Sequence, residues 1–107
     1  MNKKQIESVK KFCDWVNQTY PESYTVCGTS FDKNLLIVYV YPQSVYKNIK
    51  YIEAEYNFTD VFERESYQTE LLFISKWELS PIQNIIFAQG KEPKARYTPA
   101  PNPLNIL

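Results

Sequence analysis

The run LLIVYVY, Leu35–Tyr41, constrains the fold more than any other stretch of the chain. It is apolar at every position, follows the polar segment Asp32–Asn34 (DKN) and ends at Pro42. Residues that are β-branched or aromatic favour a pleated, buried surface, so the run reads as a strand. A strand apolar on both faces belongs in the centre of a sheet. Its faces still differ in kind. Leu36, Val38 and Val40 are aliphatic, whereas Tyr39 and Tyr41 carry hydroxyls to the opposite side.

The preceding segment SYTVCGTSF, Ser23–Phe31, supplies the hairpin partner, with DKN as the turn. Upstream, Lys3 to Thr19 reads as a helix. Asn2 is a good N-cap and Gln5 stands where a capping box places Glu or Gln. Ile6, Val9, Cys13, Val16 and Tyr20 repeat at helical spacing, Phe12 widens the stripe, and Pro21 ends the element. Trp15 lies off that stripe, beside Lys4, Ser8 and Lys11. It is either a residue at the rim of the core or an anchor for a partner, since Trp is enriched at binding hot spots.

Asn48–Thr59 (NIKYIEAEYNFT) carries two periods at once. Val45, Ile49, Ile52 and Tyr56 would form a helical stripe. Ile52, Ala54, Tyr56 and Phe58 alternate with polar residues as in a strand. A helix would place Lys47 and Lys50 early and Glu53 and Glu55 late, against its own dipole, which favours the strand. Thr59–Ser66 then becomes a loop or a single helical turn. Tyr67–Leu79, with the apolar centre Leu71–Ile74, is a further strand. In Ser80–Gly90 (SPIQNIIFAQG), Ser80 as cap, Pro81 at the first helical position and Gln83 completing a capping box predict a short helix ending at Gly90. Beyond it, Pro93, Pro99, Pro101 and Pro103 predict an extended tail. The expected fold is therefore α+β: an N-terminal helix, a four-stranded antiparallel meander, a short C-terminal helix and a Pro-rich tail, packed as a two-layer sandwich. Residues 1–90 form one domain and residues 91–107 the tail.

Composition narrows the function. At 107 residues and 44% hydrophobic, the chain can build one core and should fold. Twelve Lys+Arg balance twelve Asp+Glu, and only two of the basic residues are arginine, so nucleic acid is a poor partner. Lys3, Lys4, Lys10 and Lys11 cluster on the first helix, but Glu7 and Asp14 interrupt them. No apolar run suits a signal peptide or a membrane span, and the two cysteines make no disulfide framework; a cytoplasmic protein without membrane contact is expected. Richness in Lys, Asn, Ile and Tyr suggests an AT-rich genome, such as that of a low-GC bacterium or a phage.

No histidine is present, which removes the usual acid–base and nucleophile–base arrangements within one chain. Cys13 and Cys27 are separated and read as packing residues rather than zinc ligands or reactive thiols. Glu53 and Glu55 would share a strand face, where such pairs are more often solvated than catalytic or metal-binding. No catalytic residue, metal or cofactor is therefore assigned. If both helices pack on one side of the sheet, Tyr39, Tyr41, Tyr51, Glu53 and Glu55 share the open side. That face would suit contact with another protein, although it could equally be solvated or covered by the tail. Leu104 and Ile106 share parity in an extended tail, and with Leu107 they would lie on an apolar surface, either the domain's own or a partner's. The expectation is a non-enzymatic protein-binding module, of the inhibitor, immunity or accessory type. A homodimer, and a small-ligand or catalytic domain with a Tyr/Glu pocket between sheet and helix, are the alternatives.

Overall fold

The computed structural model describes residues 2–31, 34–66, 69–76 and 82–93. It is an α+β domain with the order α1 (Lys3–Thr19), β1 (Tyr24–Thr29), β2 (Leu35–Tyr41), a 3-10 turn (Gln43–Lys47), α2 (Ile49–Glu65), β3 (Glu70–Ile74) and β4 (Asn84–Gly90). The strands form one sheet in the order β3-β2-β1-β4. β1 pairs antiparallel with both β2 and β4, whereas β2 pairs parallel with β3. The expected antiparallel meander is thus replaced by a mixed sheet. α2 is the crossover that a parallel β2–β3 pair requires.

α1 begins as its sequence dictates. The Gln5 amide donates to Asn2 Oδ1 at 2.9 Å and the Asn2 amide donates to Gln5 Oε1 at 3.0 Å, the reciprocal capping box. β2 is central, and its alternation is retained: Leu36, Val38 and Val40 join the core beneath the helices, while Ile37 and Tyr39 enter a second cluster on the other face.

Two elements differ from expectation. The segment expected as a strand at 48–59 and as a loop or a single helical turn at 59–66 forms one continuous helix, α2. Asn48 caps it by accepting from the Lys50 and Tyr51 amides at 3.0 and 3.3 Å. The dipole argument against a helix is worth about 0.3–1 kcal/mol per charge. Burying Tyr51 and Phe62 completely, with Phe58 partly covered, is worth roughly 1.5–3 kcal/mol for each full-sized side chain and decides the matter.

The segment read as a helix at 80–90 is, where described, the strand β4, which starts at Asn84. Ser80 and Pro81, the carriers of the helix signal, lie outside the described residues. β1 is almost wholly buried and needs backbone partners along both edges. β4 supplies the second edge, and the Gln83 amide extends the pairing by donating to the Thr29 carbonyl at 2.7 Å. The register shifts between Cys27 and Gly28, and a Cβ at Gly28 would collide with the Asn84 carbonyl. Glycine at that position is what lets β4 approach.

The main core joins Val9, Phe12, Cys13 and Val16 of α1 to Cys27, Leu36, Val38 and Val40 of the sheet and to Tyr51 and Phe62 of α2. Phe12 is its hub, stacked on Phe58 at 4.7 Å and edge-on to Phe73 at 5.5 Å. A polar seam fastens β4 to α1: Gln89 Nε2 donates to Asp14 Oδ1 at 2.7 Å and to Asn17 Oδ1 at 2.9 Å. Asn17 Nδ2 in turn donates to Ser23 Oγ at 3.0 Å. The Gln89 amide holds the Asp14 carboxyl below the usual carboxylate range.

Candidate interaction surface on the two helices

α2 carries apolar residues on two sides. Tyr51, Ala54, Phe58 and Phe62 recur at helical spacing and face the core. Ile49, Ile52 and Tyr56 recur at i, i+3 and i+7 on another side and are 71%, 48% and 73% exposed. Glu53 follows Ile49 by one turn and Asp60 follows Tyr56 by one turn, so carboxylates extend the same surface toward the helix C-terminus. Glu63 is exposed there too, and Arg64 pairs with Asp60 at 2.6 Å. The stripe Val45, Ile49, Ile52, Tyr56 noted in the sequence is therefore split. Val45 is buried in the 3-10 turn and the other three face outward.

α1 and α2 run antiparallel against each other. At one end the Tyr20 hydroxyl donates to Asn48 Oδ1 at 2.8 Å, joining the end of α1 to the start of α2. At the other, Asn2, Lys4, Gln5 and Ser8 line a cleft of about 470 Å³ with Phe62, Glu65 and Ser66. Lys3, Lys4, Glu7, Lys10 and Lys11 are exposed on α1, and Lys10 reaches Asp14 at 3.2 Å. Trp15 is half-buried at the margin of the core, its ring 5.7 Å from Phe12 and 6.0 Å from Tyr20.

The five residues expected to share an open sheet face do not share one. Tyr39 is 1% exposed in the second cluster, with Tyr24, Val26, Ile37 and Ile82, and Tyr41 packs partly buried against it. Tyr51, Glu53 and Glu55 are on α2, and Tyr51 is buried in the helix-side core. The cause is that the segment expected as a strand, 48–59, enters the helix α2, which removes Tyr51, Glu53 and Glu55 from the sheet. Glu53 alone of the five is fully on the surface. Leu104, Ile106 and Leu107 lie outside the described residues. Sequence reasoning misses the outward trio of Ile49, Ile52 and Tyr56, although the helical period of the segment carries its signal.

Beneath α2, Tyr46, Tyr51 and Glu55 form a buried polar group. The Tyr46 hydroxyl donates to the Ile74 carbonyl at 3.0 Å, and the Tyr46 and Tyr51 rings meet at 5.1 Å. Tyr51 Oη and Glu55 Oε1 are shielded from water and close enough to influence each other, yet among the described residues neither has a partner in good hydrogen-bond geometry. Burial raises the Glu55 carboxyl above its ordinary range, and the nearby Tyr51 hydroxyl offsets part of that rise. Burial likewise raises both phenols, with the Glu55 charge adding to the effect. Cys13 and Cys27 are buried free thiols pushed up to about 12 by desolvation.

No family model, curated protein or solved structure matches this chain. Among the described residues, no group of three or more His, Cys, Asp or Glu is placed to hold a metal ion, and no helix is long and apolar enough to cross a membrane.

Proposed function

We propose that this protein acts by binding another protein, without catalysis, and that the outer surface of its helices is the contact surface. The observation that carries this reading is the exposure of Ile49, Ile52 and Tyr56 on a helix whose core-facing side is already supplied by other aromatics. Tyr and apolar residues grouped at a surface give contact area at low entropic cost. Glu53, Asp60 and Glu63 around them would select a partner by charge rather than by affinity alone. Trp15, half-covered on α1, extends the surface as a rim aromatic. The helices and the sheet serve as two layers in this reading, one presenting the surface and one supporting it. An inhibitor, immunity-type or accessory role in a bacterium or phage suits a chain of 107 residues that has no histidine.

The test is a double variant, Ile52→Asp with Tyr56→Asp, at positions that contribute to the surface but not to the core. It should keep the native melting temperature and lose any partner that the native protein captures from cell extract. Unchanged capture by the folded variant would refute the surface.

The buried Tyr46–Tyr51–Glu55 group favours a second reading, a pocket for a small ligand or a reaction. A carboxyl raised by burial among phenols is a recognised setting for acid–base work. Thermal stabilisation by a small polar ligand, abolished by Glu55→Gln, would support that reading over the first.

A further inference from the structure

The charge of this chain is balanced overall but divided between its helices. α1 carries Lys3, Lys4, Lys10 and Lys11 against Glu7 and Asp14, a formal +2. α2 carries Lys50 and Arg64 against Glu53, Glu55, Asp60, Glu63 and Glu65, a formal −3. Each helix is 17 residues long, and the two lie antiparallel on the same side of the sheet. We infer that the partner for the helix surface is a second copy of this chain, each α1 packing across the α2 of the other copy. This rests on the helix surface being a contact surface, as proposed above.

The geometry of a two-fold axis makes the match. An axis parallel to the helices and midway between them places α1 of one copy over α2 of the other, twice, with the crossed helices antiparallel. Such an interface is self-complementary and closes at two copies. End-to-end alignment of the two helices sets the basic first half of α1, Lys3 to Lys11, against the acidic second half of α2, which contains Asp60 and Glu63. The second half of α1, where Asp14 is already paired with Lys10 and Gln89, then brings Trp15 to Ile49 and Ile52. Apolar residues thus face an aromatic and carboxylates face lysines, whose methylene stems can lie over Tyr56. The same charge order that opposes the dipole of α2 becomes complementary once an antiparallel α1 lies across it.

The experiment is sedimentation velocity on the full chain across protein concentration and salt, with two charge-reversed variants. The native chain should pass from monomer to dimer with rising concentration, and its dissociation constant should rise at least about tenfold between low and high salt, because exposed pairs are screened. Lys4→Glu with Lys11→Glu, and separately Asp60→Lys with Glu63→Lys, should each stay monomeric. Mixed in equal amounts, the two variants should form a heterodimer, since both crossed contacts are then opposite in sign. That recovery also shows that neither variant had merely unfolded. A native chain that is monomeric at every concentration, or variants that do not recover on mixing, overturns the second-copy inference. If the native chain is monomeric and Ile52→Asp with Tyr56→Asp still abolishes capture of a different protein, the contact surface stands and only its occupant was misassigned.

Discussion

At the residue scale, the behaviour of single side chains follows from burial. Phe12 stacks on Phe58 and meets Phe73, Tyr51 and Trp15, so no neighbour can collapse into its place cheaply. Phe12→Ala should destabilise the fold by about 3–5 kcal/mol in denaturant titration. Glu55 gives a prediction with a sign. Its folded-state pKa is raised, so the native state favours the protonated carboxyl. Stability from this group is highest at acid pH and falls as pH rises from the ordinary glutamate range through the raised value. Glu55→Gln should therefore raise the melting temperature at neutral pH, and the gain should disappear below the ordinary range. A melting series over pH checks both limbs. Cys13 and Cys27, pushed up to about 12, hold almost no thiolate near pH 8. A thiol reagent should leave both unlabelled in the native protein and label both in denaturant.

At the scale of elements, local signals held where nothing larger opposed them. The cap of α1 and the alternation of β2 were legible because each follows from neighbours in sequence. α2 was obscured by its two apolar stripes. Its charge order opposes its dipole only weakly, and core burial of Tyr51, Phe58 and Phe62 outweighs that effect. β4 was obscured for another reason: its pairing with β1 joins residues some sixty positions apart, and no local pattern records the unfilled edge of β1. Gly28 marks that junction. Gly28→Ala should cost about 1–3 kcal/mol by overpacking against β4. Amide exchange should show the loss concentrated in β4 rather than in β2, which is held on both edges by β1 and β3.

At the scale of the molecule, the mixed sheet decides which surface is available. A helical crossover between β2 and β3 brings α2 beside α1 and takes Tyr51, Glu53 and Glu55 off the sheet. Tyr39 closes into the second cluster instead of presenting a hydroxyl to a partner. The zero net charge read from composition hid the division between the helices, because a sum carries no placement. The outward trio on α2 is the feature on which the functional account turns. Its most direct test is a photo-reactive phenylalanine analogue placed at Tyr56 and, as a control, at Leu72, which is also exposed but lies on β3. Irradiation of the purified chain, alone and in extract, should give a discrete protein adduct from position 56 and none from position 72. Adducts from position 72 alone, or from neither, would contradict the account.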